Sequence, residues 1–268
     1  MYLLPETELM KVLSTQDGIN AATFVVEPLS PGYGVTVGNA LRRVMLASLE
    51  GSAVSSIKID GITHEFTTIE NMREDIVDFI LNLKGLPIRL EGDEPVTLEI
   101  DVRGPKSVTA GDIKPNSQVQ IIDPAYELAT LDKGGKLKAQ IVVEKGRGFV
   151  AAEKKSEEKM PLGTIMLDSI FTPIKKVHYD VENTRVGSVT NFDKLTVSIT
   201  TNGSISPQDA LKNACQILND HFSLININIM DVADVKKVRS AKTKAVKKPA
   251  KKPAIKKNIP KKSTTKKK

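Results

Sequence analysis

The stretch that most restricts how this chain can fold is GYGVTVGNALRRVMLASL, residues 32–49. It opens on a glycine-rich turn and continues as a helix, with Thr36 as the expected N-cap. On a helical projection, Val37, Ala40, Leu41, Val44, Met45 and Leu49 form one broad apolar stripe. Asn39, Arg43 and Leu46 stack on the opposite side at i, i+4 and i+7. A surface helix needs one buried face, so a second structured face means either a second contact or an arginine that is merely solvated. The residues alone allow both.

The remaining elements follow from period and punctuation. A strand is expected over 19–27, ended by Pro28 and Pro31. Thr67 and Glu70 make a T-x-x-E capping box, predicting a helix from there to about residue 83. Lys84 suits that helix's negative C-terminal end, and Gly85 suits its C′ position. Short strands are expected at 53–60, 96–102, 119–122, 127–131, 137–144, 164–171, 175–181 and 195–201, with a charged loop over 151–159. Ser206, Pro207 and Asp209 then start a last helix. Its Ala210, Leu211, Ala214, Ile217, Leu218, Phe222 and Ile225 span nearly half the circumference, more than one small sheet needs covered.

Charge is divided along the chain. Residues 235–268 hold fifteen lysines, one arginine and no acid, and the other 23 basic residues face 32 acidic ones. The body is therefore at −9 and the tail at +16, which the net of +7 conceals. Such a tail lacks anything to form a core, and residues 227–268 are expected to be disordered. No run of eighteen apolar residues predicts a membrane helix, and MYLLPETEL does not resemble a signal peptide. The lone Cys215 excludes an internal disulfide and suits a reducing compartment.

Gly32, Gly34 and Gly38 before a helix invite a dinucleotide reading, with Asp60 imitating a ribose-binding acid. The intervening prolines and the lack of βαβ alternation favour a structural turn. His64, His178 and His221 have no ligand spacing with one another or with Cys215. His221, near the middle of the last helix's apolar face, suits a metal ligand less well than a hydrogen-bonded interface histidine. No catalytic residues and no cofactor are expected.

GNALRR, followed by IDG, HEF, LNLKG, GRGFV and DKL at matching spacing, resembles the alpha subunit of bacterial RNA polymerase over about residues 19–222. The resemblance implies an α+β fold in which residues 1–50 and 174–226 form a discontinuous dimerisation domain. That domain would hold a small antiparallel sheet and two long amphipathic helices, with 51–173 as an inserted β-rich domain. It implies a homodimer built on Val37, Leu41, Val44, Met45, Leu211, Ala214, Leu218, His221 and Phe222. It also implies a surface for the beta subunit at Asn39, Arg42, Arg43 and Leu46, with large-subunit contacts at Lys84 and Arg147. Arg42 equally suits a solvated edge, Lys84 a helix cap and Arg147 a structural turn.

By the same resemblance the chain recruits beta and beta-prime for transcription in the cytoplasm, close to the nucleoid. The resemblance implies a subunit of a nucleotidyltransferase, with no active site of its own expected in the isolated chain. Nothing after Phe222 resembles the family's C-terminal domain, which puts activator contact in question. Lys247, Lys248, Lys251, Lys252, Lys256 and Lys257 could touch DNA phosphates without reading sequence. The rival reading is a free-standing, non-specific nucleic-acid-binding protein, which explains the tail but not an acidic body with two wide apolar helix faces.

Overall fold

A computed structural model describes residues 10–155, 163–187 and 189–245. The chain opens with strands β1 (Lys11–Gln16) and β2 (Ala21–Leu29), then helix α1 (Tyr33–Ala47) and β3 (Glu50–Ile59). Helix α2 (Ile76–Gly85) precedes β4 (Ile88–Leu90), β5 (Val96–Arg103), β6 (Lys106–Thr109), β7 (Val119–Ile121) and β8 (Glu127–Leu131). β9 (Lys136–Arg147), β10 (Phe149–Val150) and the short helix α3 (Ala152–Lys155) follow. β11 (Thr164–Met166), β12 (Ser169–Ile170), β13 (Ile174–Val186) and β14 (Val189–Thr201) lead to helix α4 (Pro207–Ala245).

Every pairing between these strands is antiparallel. One four-stranded sheet, in order β1-β2-β14-β13, joins the two ends of the sequence. Another has the order β11-β3-β9-β5, and three two-stranded ribbons accompany it. The fold is thus mixed α and β, mostly strands in small antiparallel sheets, as the sequence predicted.

Residues as far as Asp220 form one compact unit, and those from His221 onward a second. The first unit holds two apolar cores. Alternation along β5 buries Val96, Leu98, Ile100 and Val102, and β9 adds Leu137, Ala139, Ile141 and Val143. Helix α2 closes this core with Ile76, Phe79, Ile80 and Leu83. The other core gathers Ala22 and Phe24 of β2, Leu195, Val197 and Ile199 of β14, Leu41 and Met45 of α1, and Ala210 and Ala214 of α4. Each large apolar side chain fully buried there contributes roughly 1.5–3 kcal/mol relative to exposure.

The structure corrects several local expectations. Helix α1 begins at Tyr33, with Gly32 as N-cap in the left-handed region at φ 84°. Thr36 lies inside the first turn, where its hydroxyl donates to the Gly32 carbonyl at 3.2 Å. The T-x-x-E at Thr67 does not start a helix; α2 starts at Ile76, its cap Asp75 accepting from the Asp78 amide at 2.7 Å. The reason is tertiary. Residues 71–74 run beside β8, where Arg73 N donates to Thr130 O at 3.1 Å and Thr130 N to the Glu74 carboxylate at 2.6 Å. The first bond satisfies the Arg73 amide, which a helix would otherwise have satisfied, and the second ties the Glu74 side chain to β8.

Gly85 is the last residue of α2 and not a C′ residue. A methyl group there would lie 2.5 Å from the Tyr126 hydroxyl, so the glycine makes room for that ring. β1 has no counterpart among the expected strands, and Pro28 sits inside β2 and does not end it. Ser206 does cap α4, accepting from the Asp209 amide at 3.1 Å. That helix continues to Ala245, so the part of the expected disordered segment between 227 and 245 is helical. The stretch contains neither glycine nor proline before Pro249, and nothing in it stops a helix already under way. Residues 246–268, including all six candidate DNA-contacting lysines, lie outside the described residues.

Candidate functional site

Helix α1 sits flush on β13 and β14 because two of its residues lack side chains. A methyl at Gly34 would meet Val181 Cγ1 at 2.7 Å and the Asp193 carboxylate at 3.0 Å. One at Gly38 would meet the Tyr179 ring at 2.6 Å and Leu195 Cδ1 at 2.9 Å. The glycines read as a turn in the sequence are therefore divided in role. Gly32 makes the turn, and the other two let helix and sheet touch.

The apolar stripe read from the sequence separates into two parts. Leu41, Met45 and Leu49 are buried against the sheet, Met45 completely. Val37, Ala40 and Val44 lie on a half-exposed flank. Burial within one protomer leaves Leu41 and Met45, and Ala214 on α4, with almost no surface to offer a second copy. Leu211 and Leu218 on α4 are half-exposed, and His221 and Phe222 are exposed, Phe222 by 66%. Leu224, Ile225 and Ile227 add further exposed aliphatic surface on the same helix.

On the third side of α1, Asn39, Arg42, Arg43 and Leu46 are all exposed. They fall within an arc of about 100°. Arg42 thus shares this face, with Arg42 and Arg43 at its two edges and Asn39 and Leu46 between them. Val35, 54% exposed, extends this face by one turn; its apolar character in the first turn was the signal, and the expected later start of the helix hid it. Among the described residues neither guanidinium has a hydrogen-bond or ion-pair partner.

Lys84 and Arg147 are placed differently. Lys84 Nζ bonds Asp168 Oδ2 at 3.2 Å, and the other Asp168 oxygen accepts the Ala152 amide at 2.9 Å. The Ala152 amide, and after it Lys84, holds the Asp168 carboxyl below its usual range. Arg147 stands directly opposite Glu50 in the β3–β9 ladder and pairs with its carboxylate through both Nε and Nη2. The structure does not bring either cation together with the α1 arginines in any shared bond.

Nearby Lys155 is drawn under protein, its Nζ 2.8 Å from the Ser169 hydroxyl and 5.3 Å from the Phe171 ring centre. Desolvation lowers its pKa, against the opposing pull of Glu144. A groove of about 780 Å³ is lined by charges of both signs, among them Glu50, Arg89, Glu91, Lys145, Asp209 and Lys212. Among the described residues no group of histidine, cysteine and carboxylate side chains is arranged to hold a metal ion, and no helix is long and apolar enough to cross a membrane.

A family profile for the RNA polymerase Rpb3/RpoA insert domain matches residues 57–172. The DNA-directed RNA polymerase subunit alpha of Alkaliphilus metalliredigens is 48% identical over 231 residues, covering 86% of this chain and 73% of that protein. Its counterpart in Symbiobacterium thermophilum is 50% identical over 219 residues, covering 82% and 69%. That of Clostridium botulinum strain Hall is 45% identical over 234 residues, covering 87% and 74%. These matches define a polymerase-subunit fold of the transcription machinery. The chain belongs to the family of bacterial DNA-directed RNA polymerase alpha subunits.

Proposed function

We propose that this chain is an assembly platform: two copies pair through α1 and α4, and the paired copies receive the large beta and beta-prime subunits. The observation that carries the reading is the three-way partition of α1. One side is buried on its own sheet, a flank is half-exposed and apolar, and the third side carries two arginines without a partner among the described residues. Arginine suits such a face because its planar fork can be desolvated with several donors engaged.

The dimer contact is assigned to Val37, Ala40 and Val44 on α1, and to Leu211, Leu218 and Phe222 on α4. Leu224, Ile225 and Ile227 on the same helix are exposed aliphatic side chains available to a further contact. The two cores support a discontinuous dimerisation domain at 1–50 and 174–226 with 51–173 inserted. One core draws on residues between Ala22 and Leu49 and between Ile174 and Ala214, and the other on residues between Val54 and Leu167. A preformed dimer lowers the ordering cost when a large subunit docks. Within this reading the chain works in the cytoplasm beside the nucleoid, takes no cofactor and supplies no catalytic group. The lysines beyond residue 245 add sequence-blind contact with DNA.

The test is Arg43→Ala in the full chain, with capture of purified beta subunit and dimer mass measured on the same sample. The expected result is an intact dimer with beta binding weakened by about 2–5 kcal/mol, the range for truncating a charge that becomes buried in a complex. Wild-type capture by the variant would overturn the assignment of Arg43.

A further inference from the structure

At the start of helix α1 the Tyr33 amide is met locally, donating to the Ser30 carbonyl at 3.0 Å, whereas the next amide has no such neighbour. The helix's N-cap is a glycine with no side chain to accept from the first turn, and no acidic residue lies in that turn. Four amide groups at a helix start lack intrahelical partners, and a negative charge there interacts favourably with the helix dipole. The missing group comes from far along the chain. Asp193 of β14 turns its carboxylate inward, and Oδ2 accepts the Gly34 amide at 2.9 Å.

Asp193 is 7% exposed, and among the described residues it takes part in no ion pair. A buried carboxylate is costly unless something fixed receives it. What receives it here is the N-terminal end of one helix. The contact is also dimensionally tight, because a methyl at Gly34 would lie 3.1 Å from Asp193 Cβ. Two residues on, Leu195 packs where Gly38 leaves space, so the strand and the helix advance in step. The β2–β14 pairing shifts register between Asp193 and Leu195. A bulge at that place is a common way of re-aiming a side chain.

We propose that Asp193 is a positioning residue: a remote cap, 159 positions away in sequence, that sets where α1 starts and how far along the sheet it sits. Through that register it places Arg42, Arg43 and Leu46. The inference rests on the docking role proposed for this face. Its mechanism, a carboxylate holding the first turn, can be measured apart from that role.

The experiment uses full-length dimer carrying Asp193→Ala or Asp193→Asn, with amide hydrogen exchange resolved by segment and capture of purified beta subunit. Asp193→Ala is expected to speed exchange in residues 33–38 about tenfold relative to β5 and β9, as loss of a helix cap implies. It is expected to weaken beta capture about tenfold while the dimer persists. Asp193→Asn keeps an acceptor and should restore most of the exchange protection and part of the capture. Unchanged exchange in 33–38 for Asp193→Ala overturns the cap. Faster exchange with undiminished capture overturns the positioning role, provided Arg43→Ala still weakens capture. If Arg43→Ala also leaves capture intact, the docking reading fails and the cap stands on the exchange data alone.

Discussion

Substituting Gly38 by alanine sets two effects of opposite sign against each other. In an exposed helix interior the change favours folding by about 1 kcal/mol, because alanine has less backbone freedom to lose. At this position the new methyl would lie 2.6 Å from Tyr179 Cδ2, 2.9 Å from Leu195 Cδ1 and 3.1 Å from Tyr179 Cγ. Comfortable carbon contacts are about 3.5–4.0 Å, so helix or ring must retreat by roughly 1 Å. Tyr179 is packed against the core below α1, and a retreat of the helix would stretch the 2.9 Å Gly34–Asp193 bond beyond useful length. It would also loosen Leu41 and Met45. Overpacking of this kind costs about 1–3 kcal/mol, and the lost capping bond about 1 kcal/mol more.

Packing therefore wins, with a net destabilisation of about 1–3 kcal/mol. Urea unfolding followed by circular dichroism, at matched protein concentration because the chain is proposed to dimerise, measures it. A loss of about 2–4 °C in Tm per kcal/mol is the corresponding thermal signal. If Gly38→Ala proved as stable as the parent, or more so, the claim that the glycine exists for helix–sheet contact would be refuted.

Asp168 is expected to make stability acid-sensitive. Its folded pKa lies below the unfolded value of 3.8, so its stabilising contribution is complete above that pH and is lost as pH falls through the lower folded value. Denaturation of Asp168→Asn and parent between about pH 6 and about pH 2.5 should therefore show a gap that closes toward the acid end; a constant gap would contradict the hold of the Ala152 amide and of Lys84 on this carboxylate. Removing residues 246–268 from the assembled enzyme should weaken DNA binding and flatten its salt dependence without changing sequence preference, because lysine neutralises phosphate and does not read bases. Filter binding at several salt concentrations checks this, and an unaltered slope would exclude tail–DNA contact.

The exposed face of α1 was largely legible in the sequence, because helical periodicity needs only residue order. Asn39, Arg43 and Leu46 were assigned to one face, and the structure exposes all three. Arg42 could not be placed until the helix's actual orientation on β13 and β14 was known. Val35 was missed because Thr36 is the better local cap, whereas the chain starts the helix a turn earlier with help from Asp193. The capping box at Thr67 failed for a related reason: its local preference is weaker than the bonds residues 71–74 make beside β8.

What the sequence determined by itself was the alternation of β5 and β9, the amphipathic faces of α1 and α4 and the split in charge. All of these are properties of near neighbours, set by side-chain volume, polarity and backbone freedom over a few residues. Tertiary structure alone decided which part of the α1 stripe is spent within the protomer, why two glycines must lie beneath that helix, and which carboxylate caps it. Those depend on groups 159 positions apart meeting at 2.9 Å, a distance that residue order does not encode.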